Sequence, residues 1–272
     1  VEASRVSIII PALNEEMSVG KITAELHHCF PETEILVIDD GSSDSTGERA
    51  HDAGARVIRH EHPMGYGAAL RTGILAVSRE YVLFCDADGQ HRAEDVAKVM
   101  EACDDHHIAI GARDSHSHIP LIRRPGKALL KVFANYIAGE KIPDLNSGLR
   151  IVKREVLVRY LHLMPRGFSF STTSTLALLK THHPIRWVPI TVLERTGTSS
   201  VRQWKHGSQT LLLILRLAVL FNPLKVFLTV AGFLFFLALV SLGIDIFQEG
   251  GQGIGDTTVL LSVSTLIVFM FG

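Results

Sequence analysis

The chain has 272 residues, 20% of them charged, and a net charge of −1, so no global basic field points to a nucleic-acid partner. Three cysteines without metal-ligand spacing suit a reducing compartment, and paired histidines such as His27-His28 and His182-His183 read as surface residues rather than zinc ligands. Residues 1–205 hold nearly all the charge and the remainder is strongly apolar. No signal peptide is expected in the opening residues, which begin at Val1.

Apolar runs alternate with helical patterns through the first half. Val6 to Ile10 predicts a strand, followed by a helix from about Asn14 to His28. Glu34 to Ile38 predicts a second strand, ending in "DDGSSDST", and a helix then runs to about Ala53. Ala55 to His60 is the third expected strand, and Gly65 to Ser78 a helix behind a glycine-rich turn. Tyr81 to Cys85 is the fourth strand, with Cys85 read as a small core residue. A helix over Ala93 to Cys103 and a strand over His107 to Gly111 follow. Such alternation implies an α/β layer with a mainly parallel sheet, whose ligands bind beyond the carboxyl ends of the strands. The polar motifs "PALNEE", "DDGSSD", "HPMGYG", "DADGQ" and "GAR" all fall there. Further on, "IPDLNSGLRIVKR" reads as a turn and a short strand, and "PIRWVPITVLE" as another strand.

The last part changes character. Gly207 to Phe221 reads as an apolar helix lying in a membrane interface, with Arg216 reaching to headgroups. Val226 to Ile244 is uncharged and about the ~20 residues needed to cross a bilayer. A loop without Lys or Arg, Gln248 to Asp256, leads to a second apolar run from Thr257. Lys205, Arg216 and Lys225 precede the first span, which places residues 1–225 in the cytoplasm by the positive-inside rule.

The chemistry concentrates in "YVLFCDADGQH". Asp86 and Asp88 stand one residue apart at the end of an apolar strand, where like charges repel unless a cation lies between them. Two carboxylates, with Gln90 adding a neutral oxygen, suit a hard divalent ion; helix capping is the plainer reading of the same residues. "DDGSSDST" and "PALNEE" divide in the same way between helix caps and groups that accept from a base or ribose. The close-set glycines of "GYGAALRTG" open a helix whose N-terminus favours an anion such as phosphate.

In this order, "VSIIIPALNEE", "VIDDGSSDST", "GYGAALRTG" and "FCDADGQH" resemble the family 2 glycosyltransferases. "GAR", "DLNSGLR" and the apolar C-terminal segment narrow the resemblance to the polyprenyl-phosphate group, similar to dolichol-phosphate mannosyltransferases. The resemblance implies a GT-A fold over residues 1–205, an interfacial helix over 206–223 and two transmembrane helices over 224–272. It further implies a divalent metal (Mg or Mn), a GDP- or UDP-linked sugar donor, a polyprenyl phosphate acceptor, and a membrane location with the catalytic domain cytoplasmic. A homo-oligomer is compatible with it.

Carried over by position, Asp86, Asp88 and Gln90 match the metal and diphosphate site, and Pro11, Asn14, Glu15 and Asp40, with Asp86, the nucleotide pocket. Arg113, Arg123 and Arg124 match arginines that hold the lipid phosphate; Arg195, Gly197 and Ser199 match a closing loop. Related enzymes often carry a carboxylate where this chain has the Ser/Thr run "FSFSTTSTLALL". A phosphate monoester, with a second pKa of about 6, is largely dianionic at neutral pH and needs no protein base. Arginines with bidentate geometry suffice to hold it. Two other readings stand beside this one. A processive polysaccharide synthase would want Gln where His183 precedes Arg186-Trp187, and a non-catalytic membrane scaffold would not need an intact Asp86–Asp88–Gln90 set.

Overall fold

The computed structural model describes residues 1–103, 107–113, 132, 134–136, 139–167, 169–193, 212, 219, 223–248 and 254–271. It comprises two compact units, Val1–Ile214 and Leu215–Gly272.

The first unit is built on β1 (Val6–Ala12), buried along its whole length. An apolar run covered on both faces explains its lack of alternation, and fully buried Ile8, Ile9 and Ile10 each contribute about 1.5–3 kcal/mol. The other strands are β2 (Glu34–Asp39), β3 (Arg56–Arg59), β4 (Tyr81–Phe84), β5 (Ile108–Arg113), β6 (Arg150–Lys153) and β7 (Arg186–Ile190). They form one sheet in the order β3-β2-β1-β4-β6-β5-β7. Most pairs are parallel, as expected, but β6 runs antiparallel to both β4 and β5. Arg150 therefore pairs with Phe84, so the loop entering β6 lies where β4 ends. At the sheet edges, β3 presents Arg56 and Arg59 and β7 carries Pro189, both of which discourage further strand pairing.

Helices α1 (Val19–Cys29), α2 (Thr46–Asp52), α3 (Tyr66–Ala76), α4 (Ala93–Glu101), α5 (Arg154–Tyr160) and α6 (Phe170–Lys180) flank the sheet. On α1 the buried residues are Val19, Ile22, Thr23 and Leu26, one stripe at helical spacing. The helix starts at Val19 and not near Asn14, because Asn14 has a left-handed φ of 54° and residues 14–16 bond across to the next loop. Against β1, α3 packs through Gly73, where a Cβ would stand 2.6 Å from Ile9 Cγ2. Cys85 is buried, and burial together with Asp86 and Asp88 pushes its thiol well above the usual range, so it stays neutral in the core.

The second unit is a helical hairpin, α7 (Pro223–Gln248) and α8 (Asp256–Met270). At ~1.5 Å per residue, the 26 residues of α7 exceed a ~30 Å hydrocarbon core. Phe233, Phe235, Phe236 and Leu239 stand exposed on it, as an apolar surrounding requires. Its buried positions are the small residues Ala231 and Ala238, two turns apart on one face. Asp245 accepts hydrogen bonds from the Gly255 N–H (2.8 Å) and the Thr258 hydroxyl (2.7 Å), capping α8. The expected interfacial helix at 207–221 lies, but for Leu212 and Val219, outside the described residues.

Candidate active site

The sheet order places β2 on one side of β1 and β4 on the other. β1 and β4 run parallel, but the strand order reverses between them, with β2 and β3 added on one side and β4 on the other, which opens a crevice beyond their carboxyl ends. A cavity of about 530 Å³ lies there. Pro11, Ala12, Leu13 and Glu15 line it from the end of β1, Asp40 from β2, and Asp86, Ala87 and Asp88 from β4. The glycine-rich turn adds Met64, Gly65 and Tyr66; Asn146 and Gly148 come from the loop before β6, and Ser171 from α6.

The first two polar loops brace each other. Asn14 Oδ1 accepts the Ser43 N–H (2.8 Å), and the Asn14 and Glu15 amides donate to the Ser42 (3.0 Å) and Thr46 (2.8 Å) hydroxyls. Asp44 accepts from the Glu16 N–H (3.3 Å) and the Thr46 N–H (3.1 Å); burial raises its carboxyl, but these bonds and the Thr46 hydroxyl hold it below the usual range. Of the six residues of "PALNEE", Asn14 and Glu16 are thus consumed in holding the loop, and Glu15 lines the cavity. Asp40 also reaches the wall. Its oxygens take the Met64 N–H (2.9 Å), the Gly65 N–H (2.8 Å) and His60 Nδ1 (2.7 Å), so much of its accepting capacity shapes the turn.

Asp86 and Asp88 come together on the cavity floor. Asp86 Oδ1 accepts the Tyr66 hydroxyl (3.0 Å), and Oδ2 lies 3.8 Å from His91 Nε2. Burial pushes the Asp86 carboxyl up; His91, Tyr66 and the charge of Arg150 prevail and hold it below the usual range. Burial and the neighbouring Asp86 push the Tyr66 phenol well up, so it remains a donor. Asp88 is buried and accepts the Gln90 N–H (3.1 Å). Gln90 directs Nε2 to the Leu193 carbonyl (2.9 Å) and does not line the cavity. Two hard carboxylates fit Mg²⁺ or Mn²⁺, which commonly take one or two protein oxygens and fill the rest with water and phosphate. Accordingly, no group of three His, Cys, Asp or Glu side chains stands ready for a metal among the described residues.

Gly148 abuts Asp86 so closely that a Cβ there would strike the carboxylate. Gly148→Ala should displace Asp86 and cost ~1–3 kcal/mol, about 5- to 150-fold in Mn²⁺ affinity by calorimetry if the strain falls on the metal-bound state. Unchanged Mn²⁺ affinity would show that the position of Asp86 does not govern the metal.

Among the described residues, the opposite wall holds no carboxylate in reach as a base. The Ser/Thr run forms α6, and its Ser171 carbonyl (3.1 Å), Ser174 hydroxyl (2.7 Å) and Thr175 hydroxyl (3.1 Å) accept from Arg150 Nη1. Arg150 is 1% exposed and also donates to the Ser147 carbonyl. Asp144 is held by Arg113 through Nε (2.6 Å) and Nη2 (2.9 Å) and accepts the Asn146 N–H (3.1 Å). The α3 N-terminus is also closed to phosphate at one point: the Ala68 N–H donates to the Arg166 carbonyl (2.9 Å). Gly65, with φ of 105°, lets that segment approach, since a Cβ would lie 2.8 Å from the Arg166 oxygen. Arg123, Arg124, Arg195, Gly197 and Ser199 lie outside the described residues. Tyr66, His91, Asn146, Arg150 and Ser171 were not legible as site residues; only an arginine inside the apolar stretch "GLRIV" hinted at one of them.

Residues 7–161 match the profile described as glycosyl transferase family 2. The chain belongs to the family 2 glycosyltransferases. Its residues 222–272 match the GtrB C-terminal hairpin. The polyprenol monophosphomannose synthase of Mycolicibacterium smegmatis is 30% identical over 207 residues, covering 70% of this chain and 78% of that protein. The dolichyl-phosphate hexose transferase of Haloferax volcanii is 28% identical over 205 residues, 74% of this chain and 89% of that protein. Among solved structures, glucosyl-3-phosphoglycerate synthase from Mycobacterium tuberculosis, in complex with Mn²⁺, UDP and phosphoglyceric acid, superposes with a TM-score of 0.67. That match is 20% identical and covers 80% of this chain and 81% of the other, a likeness of fold. As a family 2 glycosyltransferase the chain has the GT-A architecture, with β6 inverted in an otherwise parallel sheet.

Proposed function

We propose that this glycosyltransferase moves a sugar from a nucleotide-sugar donor to a polyprenyl phosphate, with inversion, as a metal-dependent enzyme anchored by its C-terminal hairpin. The observation that carries the reading is the asymmetry of the cavity. One side gathers Glu15, Asp40, Asp86 and Asp88, and the other offers Asn146, Gly148 and Ser171, with no free carboxylate among its described residues. A sugar hydroxyl acceptor would need a positioned base there, whereas a phosphate monoester arrives already ionised. The named relatives are polyprenyl-phosphate sugar transferases, in agreement with this choice.

In this reading Glu15 accepts from the base or ribose of a UDP- or GDP-linked donor, and Asp40 keeps the Met64–Gly65 turn in place as the pocket wall. Asp86 and Asp88, with Gln90 close by, would hold Mg²⁺ or Mn²⁺. When bound, the ion neutralises charge gathering on the leaving diphosphate. Tyr66 and His91 keep Asp86 ionised and oriented toward that position. The lipid phosphate, held by Arg113, Arg123 and Arg124, attacks the anomeric carbon from the face opposite the diphosphate, and the loop with Arg195 and Ser199 closes over the donor.

A donor panel tests the function: full-length protein in detergent, a short polyprenyl phosphate, and GDP- and UDP-sugars, read by the mass of the lipid product. A polyprenyl-phosphate hexose from one donor is expected; hydrolysis alone, or elongation of a glycan, would defeat the reading. The catalytic unit is assigned to the cytoplasm, which places the loop after α7 on the far side. A cysteine at Gln248 should then react with a membrane-impermeant maleimide only from the non-cytoplasmic face, and labelling from the cytoplasm would reverse the topology.

A further inference from the structure

The cavity has an electrostatic imbalance that its lining does not resolve. It is walled by the carboxylates of Glu15, Asp40, Asp86 and Asp88, and none of its described lining residues is a Lys or Arg. A nucleoside diphosphate carries two or more negative charges, and one divalent ion at Asp86 and Asp88 would offset only half the charge of the four carboxylates it meets. Directly behind the wall lies Arg150. Its guanidinium is almost wholly buried and its hydrogen-bond partners among the described residues are neutral oxygens: the Ser147 and Ser171 carbonyls and the Ser174 and Thr175 hydroxyls. These contacts flank cavity-lining Gly148 and Ser171, so the charge stands one layer from the space the diphosphate would fill. Burial brings the group down to about 10, opposed by Tyr66, Asp144 and Asp86, so it is cationic at neutral pH.

A buried cation without a carboxylate in contact is costly to keep, and a hydrophobic residue of similar volume would ordinarily serve packing better. We infer that Arg150 is a positioning residue whose buried charge, shielded by α6 hydroxyls rather than cancelled by a carboxylate, favours the donor's diphosphate in an otherwise acidic pocket. The hydroxyls of Ser174 and Thr175 on α6 follow from this. Hydroxyls satisfy the N–H groups of the guanidinium without neutralising it; an Asp at Ser174 would satisfy and neutralise together. The inference rests on the nucleotide-sugar reading above.

The test measures binding of UDP and GDP, and of uridine and guanosine, to full-length protein in detergent with Mg²⁺, alongside melting temperature. Arg150→Gln should weaken the diphosphate about tenfold or more while leaving the nucleoside unaffected, and Arg150→Lys should stay within about threefold of wild type. Equal losses in the Gln and Lys variants, or none in the Gln variant, would overturn the charge role. Should Arg150→Gln fail to fold, Ser174→Asp carries the test, since it keeps the guanidinium bonded and cancels its charge. It should lose diphosphate affinity but not nucleoside affinity, and wild-type affinity for the diphosphate would overturn the inference. A wild-type protein that binds neither nucleoside diphosphate overturns the functional reading and this inference with it.

Discussion

Asp88→Ala is expected to lower sugar transfer by about 10³-fold or more while the protein stays folded. The side chain is buried on the cavity floor beside Asp86 and is one of only two carboxylates there placed to hold a divalent ion, among the described residues. Losing it removes charge stabilisation of several kcal/mol from the departing diphosphate, and each ~1.4 kcal/mol is tenfold in rate. Stability should fall less than activity, because the acidic floor also loses a repulsive charge beside Asp86. The measurements are initial rates across a Mn²⁺ titration and thermal unfolding. A variant that remains active in the presence of a chelator would remove the metal from the proposal.

Arg113→Ala should cost the protein several kcal/mol of stability, about 3–5. Asp144 has only 9% of its side chain exposed, and Arg113 grips it through a two-point fork. Burial raises the Asp144 carboxyl, but the Arg113 bonds and charge hold it below the usual range. Breaking such a pair from one side costs about 3–5 kcal/mol, because the remaining charge stays buried. The sign with pH follows. A depressed carboxyl contributes stability that is present above its unfolded pKa of ~3.9 and lost as pH falls through the lower folded value. The gap between wild type and Arg113→Ala should therefore be wide at neutral pH and close in acid. Arg113→Ala/Asp144→Ala should recover part of the loss, and additive losses in the double variant would show that the pair does not matter as a pair. The fork uses two of five guanidinium N–H donors, so Arg113 retains capacity for a phosphate. Acceptor saturation should weaken ~10- to 100-fold in Arg113→Ala, with donor binding little changed.

Much of this was legible along the chain, for a physical reason. Strands such as "VSIII" and "EILVID" are apolar because both faces are covered, and the residues beyond them are polar because they leave the sheet for the loops that brace and line the crevice; both signals are local. The motif order and the Asp86–x–Asp88 spacing carried the family and the floor of the site, since neighbours in sequence at a strand end stay neighbours in space. An apolar run of membrane length likewise declares itself by composition.

What only tertiary structure decided is how distant polar groups divide the work. Asn14 and Asp40 carry the same donor and acceptor groups whether they bind a ligand or brace a loop; only the positions of Ser43, Met64 and Gly65 assign them largely to bracing. The glycines of "GYG" suggest a phosphate cradle, and the approach of Arg166, a hundred residues on, gives them a packing role as well. Arg113 and Asp144 pair across 31 residues, and Arg150 finds its hydroxyls 24 and 25 residues away. Side-chain chemistry is written in the sequence, but which donor meets which acceptor depends on strand order and on the inversion of β6, contacts between segments far apart along the chain.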